Sequence, residues 1–220
     1  MEKIINLQVA LFFDNIMKRP DRIINDLNDA MGNLFDGIPQ VIDLPLETPS
    51  EIPMVMLKSE DGLYSCNLAR GRIDFFYNFN TNEKEWSSIL KDFITKAQNL
   101  IKFIYKEQEI NRFGLIGNFF IDDKNPVWQI NNKYIKNNLG ELNELLIRYN
   151  KVETMYGMTL NNIYHVEAGF NFLTQTKGVT IQRDINNVPE EKILSLDSIN
   201  NTIKKCIENY SFEEIKNLVR

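Results

Sequence analysis

The order of secondary-structure signals along the chain repeats once, and this repetition limits the folds that the sequence can adopt. Residues 4–13 alternate apolar and mixed positions as a strand does, and residues 110–121 (INRFGLIGNFFI) do so again. After each of these strands, a later segment carries apolar residues at helical spacing, over 86–104 and then over 196–210. The chain therefore divides into two parts, each of which starts with a strand and ends with an amphipathic helix.

The segments in between have similar content in the two parts. In the first part, a helix is predicted after Pro20. About four strands are predicted after it, from Val41-Ile42 and from the apolar stretches over 54–57, 63–68 and 72–79. In the second part, a short helix is predicted over 127–136. Four strand-like stretches then follow at 144–152, 155–160, 163–173 and 179–185, with turn residues between them at 156–157, 161–162 and 176–178.

We therefore predict an α+β fold with duplicated β-α-β4-α halves, residues 1–109 and 110–220, fused as one domain. The strands are expected to form an antiparallel curved sheet, with the two long helices packed on one of its faces. Each half is too incomplete to stand alone, so we expect the two halves to be fused as one unit, with either one continuous sheet or two separate ones.

This order of elements resembles the TATA-binding-protein-like fold, in which two such halves make one curved sheet with helices on its convex face. The phrases INRFGLIGNFFI, VTIQRDINN and LDSINNTIKKCIENYSFEEI also resemble a sporadically distributed family of uncharacterised bacterial proteins. That family has an Arg-Phe/Ile-Gly-Leu strand and an aspartate-bearing strand before its last helix. The family resemblance implies no reaction, because a fold does not by itself confer a function.

Charge and composition bear on the partner and on the compartment. The chain has a formal net charge of -5, and residues 1–110 hold 12 basic against 17 acidic side chains, while the remainder holds 13 of each. Proteins that bind nucleic acid through its phosphates usually carry a basic face, so this acidity disfavours such a partner.

Cys66 and Cys206 are too few for a disulfide framework. No apolar run approaches the roughly 20 residues of a membrane span. We expect a cytoplasmic protein that does not act at a membrane.

Strand alternation predicts one face of the sheet that the helices leave uncovered, here called the open face. Odd positions in the strands at 4–13, 72–79 and 110–121 are apolar and are expected to lie under the helices. The even positions are rich in amides, and two arginines among them are balanced by Asp74 and Asp184. We expect the open face to bind a partner through Asn6, Gln8, Phe12, Arg72, Phe76, Asn78, Arg112, Asn118, Phe120 and Gln182.

The residues that could support catalysis are few. His165 is the single histidine, and Glu167 shares its face of a strand, so the pair resembles an oriented general base. No nucleophile motif or phosphate-binding glycine motif accompanies the pair. Asp122-Asp123 follows a strand, as magnesium-binding acids do, but Asp-Asp-Lys-Asn-Pro is also typical of a solvated turn. The structural interpretation is favoured for both groups.

We therefore predict a non-enzymatic binding protein without a cofactor, a bacterial or phage accessory factor that acts through protein–protein contacts and forms a homodimer. An alternative is a nucleic-acid-binding protein that uses the open face. In the resembled DNA-binding fold, amides read the minor groove and phenylalanines wedge it open. A third alternative is a metal-dependent hydrolase built on carboxylates such as those of Asp122 and Asp123.

Overall fold

A nine-stranded antiparallel sheet forms the centre of the structure, a computed structural model that describes residues 2–78, 85–137, 139–172, 174–189 and 193–220. The strand order is β2-β3-β4-β5-β1-β6-β9-β8-β7. The strands are β1 (Lys3–Phe12), β2 (Gln40–Val41), β3 (Pro53–Lys58), β4 (Tyr64–Ala69), β5 (Arg72–Asn78), β6 (Arg112–Asp122), β7 (Leu146–Met155), β8 (Met158–Asn171) and β9 (Thr176–Asn187).

In the described ranges, five α-helices lie on one face of this sheet: α1 (Ile24–Ala30), α2 (Trp86–Glu107), α3 (Pro126–Tyr134), α4 (Leu196–Cys206) and α5 (Phe212–Asn217). Single 3-10 turns precede α1 and follow α4. The α+β class is thereby confirmed. Among the described residues, none of the helices combines the length and the apolar composition needed to cross a membrane.

The apolar residues of the strands and helices meet in one core between the sheet and the helices. Helix α2 is the longest element on this side, and Phe93, Leu100 and Ile104 of its apolar stripe are fully buried. Phe75 of β5 is stacked between Tyr64 and Phe93, with ring centroids 5.7 and 5.6 Å away. Burying an apolar side chain of this size contributes about 1.5–3 kcal/mol, so this stack is a major stabilising contact.

Strand β1 occupies the middle of the sheet, where it joins the two parts of the chain. It pairs antiparallel with β5 on one side and with β6 on the other. In the first part, the first strand β1 lies beside the last strand β5. In the second part, the first strand β6 lies beside the last strand β9. The sheet is therefore continuous from one part to the other.

The second part contains three strands after its first helix within the described residues, and the prediction of four is wrong. Strand β8 runs without interruption through Asn161 and Asn162, which the sequence predicted as a turn. The Asn161 side chain is instead used in hydrogen bonds to neighbouring strands, with Asn150 and with Asn186. The predicted turn at 176–178 also lies inside a strand. The turn at Tyr156 and Gly157 is confirmed, with positive φ at both residues.

The second predicted helix, over 196–210, is present, but its last turn is a 3-10 turn and a further short helix follows it. Helix α4 ends at Cys206, a 3-10 turn runs from Ile207 to Tyr210, and the Ser211 side chain caps the start of α5 by accepting from the Glu214 backbone N–H. Tyr210 holds this break in place because its hydroxyl donates to the Leu115 carbonyl at 2.6 Å.

The predicted odd-numbered apolar face of β1 is correct for Leu7, Val9 and Leu11, which are fully buried, but it fails at Ile5. A β-bulge between Ile4 and Asn6 shifts the register against β6 and places Ile4 in the core instead. One extra residue is enough to move the side chains that precede the bulge in β1 to the opposite faces of the sheet.

Candidate binding face

The open face is the side of the sheet opposite the helices. The pairing register places even positions of β1, β5, β6 and β9 on this side, since their odd neighbours form the core. All ten residues predicted for the face have this parity: Asn6, Gln8, Phe12, Arg72, Phe76, Asn78, Arg112, Asn118, Phe120 and Gln182. They come from distant parts of the chain, and only the register brings them together.

Four of these amides form one row across four adjacent strands. Each amide lies directly opposite the next one across β5, β1, β6 and β9, in the order Asn78, Asn6, Asn118 and Gln182. Gln182 Nε2 donates to Asn118 Oδ1 at 3.0 Å, and Asn118 Nδ2 donates to Asn6 Oδ1 at 2.6 Å. Each amide keeps further donor and acceptor capacity, so the row is a fixed set of hydrogen-bonding groups that a partner can use.

A second amide ladder lies beside the first, and the sequence pattern does not predict it. Asn150 Nδ2 donates to Asn161 Oδ1 at 2.8 Å, and Asn161 Nδ2 donates to Asn186 Oδ1 at 3.2 Å. Asn186 Nδ2 then donates to Asp184 Oδ1 at 2.9 Å. The alternation of Asn161, Ile163 and His165 along β8 was the only available signal, and the doublet Asn161-Asn162 obscured it because it resembles a turn.

Phe12 lies between two guanidinium groups on the open face. The Arg72 and Arg112 guanidinium carbons are 4.7 and 5.1 Å from the centroid of its ring. Arg72 is also paired with Asp74, at 2.7 Å, and Gln8 Nε2 donates to the same carboxylate oxygen at 2.6 Å. The positive charge of Arg72 is therefore balanced within the protein.

The other two phenylalanines of the predicted face differ in exposure. Phe76 is half-buried opposite Gln8, whereas Phe120 is only 2% exposed. The Phe120 ring sits over Gly178, where a Cβ atom would come within 2.5 Å of it. Phe120 is on the expected side of the sheet, but its ring is not available to a partner in this structure.

The groups considered for catalysis also lie on or near this face. His165 Nε2 is 3.3 Å from a Glu167 carboxylate oxygen, and His165 pairs with Gln182 at the end of the amide row. Asp122 accepts a hydrogen bond from the Thr176 hydroxyl at 2.9 Å, and Asp123 accepts one from the Asn125 backbone N–H at 2.7 Å. Within the described ranges, no three His, Cys, Asp or Glu residues come close enough to hold a metal ion.

Both thiols lie on the helix side, away from the open face. Cys66 is fully buried, and desolvation raises the pKa of its thiol far above the ordinary range. Burial raises the pKa of Cys206 to about 11. Both groups therefore stay protonated at neutral pH, and a protonated thiol is a poor nucleophile.

Arg183 is buried under the helices, so it lies on the face opposite to Asp184, as the alternation predicts. Its guanidinium donates to the Tyr164 hydroxyl at 2.6 Å and to the Asn209 carbonyl at 2.7 Å. These bonds, and a further one to Asn162, are all to neutral groups. Arg183 ties the sheet to the turn after α4.

A solvent-open groove of about 990 Å3 lies between α3 and the far end of the β8–β9 hairpin. Trp128 and Phe170 contribute exposed rings to it, and Lys124 and Lys177 contribute charges. It is separate from the amide rows and lies at the end of the sheet.

No protein-family model matches this chain, and no curated protein matches it either. Sequence relatives therefore assign no activity to any of its residues. The arrangement of the open face is the main evidence for what the protein does.

Proposed function

We propose that this protein is a non-enzymatic binding protein, a bacterial or phage accessory factor, whose open face contacts another protein. One observation carries the proposal: the helices of the described residues lie on one side, and the other side of the sheet carries ordered rows of hydrogen-bonding amides. A surface whose side chains are already held in place loses little conformational entropy when it binds.

The charges of the open face favour a protein over a nucleic acid. Binding to phosphates requires cations that can replace the counterions of the nucleic acid. Arg72 is paired with Asp74, and Asp184 and Glu167 add negative charge nearby. Phe120 is buried, so it cannot act as a wedge between base pairs. A neutral, amide-rich surface is better suited to the polar groups of a protein.

We also infer that the two halves, residues 1–109 and 110–220, are copies of one unit, as in the resembled TATA-binding-protein-like fold. Two features support this: each half starts with a strand that lies beside its last strand, and β1 and β6 pair antiparallel at the junction. The halves differ in strand number and in how the last helix ends.

Photo-cross-linking in cells tests the main proposal. A benzophenone side chain replaces Gln182, which is exposed on the open face, and in a matched control it replaces Lys102, which is exposed on α2. We expect a discrete protein adduct from position 182 and none from position 102. Equal adducts from both positions, or no adduct from 182, would contradict binding through this face.

The nucleic-acid alternative makes a different prediction, which fluorescence anisotropy with labelled duplex and single-stranded oligonucleotides can check. If the open face bound phosphates, affinity would fall steeply with salt and would drop again for Arg112→Ala. We expect no binding at physiological salt. Salt-dependent binding that Arg112→Ala abolishes would replace the protein-binding proposal with this alternative.

A further inference from the structure

The edge of the sheet that β7 forms is long and regular. Strand β7 (Leu146–Met155) is the last strand in the order, so its outer edge meets none of the described strands. Its register with β8 is unbroken from Leu146 to Met155, without a bulge. It also contains no proline. Such an edge offers unpaired backbone groups to another strand.

The backbone groups on this outer edge can be identified residue by residue. The Ala168 N–H donates to the Leu145 carbonyl at 3.2 Å, which makes these two residues a hydrogen-bonded pair. Hydrogen-bonded and non-bonded pairs alternate along antiparallel strands. The odd residues of β7 therefore bond to β8, and the even residues direct their N–H and C=O groups outward: Leu146, Arg148, Asn150, Val152 and Thr154.

We infer that β7 pairs antiparallel with β7 of a second copy, around a two-fold axis that passes beside Asn150. In an antiparallel pair, directly opposed side chains lie on the same face of the sheet. An axis perpendicular to the sheet keeps even residues opposite even residues. The outward N–H and C=O groups of one copy then lie opposite those of the other. The backbone of β7 is thereby hydrogen-bonded along both of its edges.

Length and charge select this register among the symmetric ones. Only axes at residue 150 or 151 pair nearly the whole strand, over 146–154 or 147–155. The axis at 151 places Lys151 opposite Lys151 of the second copy, and like charges directly opposed are destabilising. The axis at 150 places Lys151 opposite Tyr149 and Arg148 opposite Val152, so no like charges face each other.

The side chains near the axis continue contacts that already exist within one chain. Asn150 is the end of the second amide ladder, and in this register it lies opposite Asn150 of the second copy. Lys151 lies over the rings of Tyr149 and Tyr164, with Nζ 6.0 and 5.6 Å from their centroids. In the dimer it also comes beside Tyr149 of the second copy.

The two copies would share one continuous sheet, with both open faces on the same side. This inference is independent of the proposed function, because it concerns the backbone edge of β7 and not the amide side chains of the open face.

Sedimentation velocity with an edge-blocking variant tests the dimer. Val152→Pro removes an outward N–H and leaves the bonds to β8 intact. Val152→Thr keeps that N–H and is the matched control. We expect a dimer for the natural chain and for Val152→Thr, and a dimer weakened by about tenfold or more for Val152→Pro. A natural chain that stays monomeric at high concentration overturns the inference, as does a Val152→Pro protein that dimerises normally.

Disulfide trapping gives a second result that does not depend on the proline variant folding. Asn150→Cys places two thiols across the axis, where Cα atoms of a bonded pair are about 5.5 Å apart, within disulfide reach. Thr154→Cys is an equally exposed control, but its thiols would lie roughly 27 Å apart along the strands. The natural cysteines are buried. We expect a covalent dimer only from Asn150→Cys. Equal trapping of both variants, or none, overturns the register.

The two proposals fail separately. If Val152→Pro is monomeric and position 182 still gives a protein adduct, both stand. If the dimeric natural chain gives the adduct and the monomeric Val152→Pro protein does not, the adduct came from the second copy. In that case the open-face proposal fails, while the edge inference stands.

Discussion

The two faces of the central sheet are made by alternate residues of the same strands, yet they have opposite properties. On β5, Phe75 is fully buried between Tyr64 and Phe93, while its neighbour Phe76 lies half-exposed on the open face. On β6, Gly117 faces the helices and Gly114 faces away. The buried contacts that stabilise the fold therefore lie mainly on the helix side. Side chains on the open face are less constrained by packing, so they can serve binding.

The largest effect is expected for adjacent phenylalanines on opposite faces. Phe75→Ala removes a ring from the centre of an aromatic stack and leaves a cavity, which costs about 3–5 kcal/mol of unfolding free energy. Phe76→Ala removes a partly solvated ring and should cost well under half as much. Denaturant unfolding of both variants measures the difference. Similar losses would show that the open face also contributes to the stable core.

A smaller effect is expected for the two glycines of β6. A Cβ atom at Gly117 would lie 2.5 Å from the Tyr210 ring, which is fixed in the core, so Gly117→Ala should cost about 1–3 kcal/mol. At Gly114 the nearest atom to a Cβ atom would be the end of the Ile116 side chain, at 3.2 Å, which can rotate away, and the next atoms lie at ordinary contact distances of 3.8 and 3.9 Å. Thermal unfolding of the two variants should therefore differ, and equal midpoints would contradict the proposed packing of Tyr210.

High pH should also act on the helix side. Burial raises the pKa values of Tyr64, Tyr164 and Tyr210 above the ordinary value of 10.0. The folded protein thus holds these protons more tightly than the unfolded chain. The corresponding stability is fully present below about pH 10 and is lost as the pH rises above it. Denaturant midpoints between pH 8 and pH 11 measure this loss.

Tyr210 affects stability through a hydrogen bond at neutral pH and through its raised pKa at high pH, and Tyr210→Phe tests both effects. It removes the hydroxyl that donates to the Leu115 carbonyl, so it should cost about 1–2 kcal/mol at neutral pH. It also removes one titrating group, so the alkaline fall should become shallower. An unchanged slope would mean that Tyr210 does not ionise during alkaline unfolding.

The smallest effect on stability is expected on the open face. Asn118→Ala breaks the bonds to Asn6 and Gln182, which are partly solvated, and should cost about 0.5–1.5 kcal/mol. The same change should strongly reduce the cross-link yield from position 182, because it interrupts the amide row. Asn99→Ala, exposed on α2, is the control and should change neither quantity. An unchanged cross-link yield would separate the amide row from binding.

The sequence predicted which face most strands present because alternation depends on local residue types alone. Leu7, Val9 and Leu11 were placed correctly for this reason. Ile5 was not, because the bulge depends on pairing with β6, more than 100 residues away.

The asparagines show a second limit of local patterns. Asn161-Asn162 has the composition of a turn, but the partners of Asn161 are amides on the two neighbouring strands. Phe120 was assigned to the correct face, but its burial depends on Gly178 of another strand. Residue types predicted the polar character of the candidate site, whereas its hydrogen-bonded order and the availability of each ring depend on register, which no local pattern encodes.

The central position of β1 has a consequence for how the protein is made on the ribosome. β1 is synthesised first, and β5 gives it a neighbour on one side, but its other side stays unpaired until β6 emerges. At typical elongation rates the roughly 100 residues between β1 and β6 take about 5–20 s to translate. During this interval the nascent chain carries an open strand edge in the middle of its future sheet, and a chaperone bound there would protect it from aggregation.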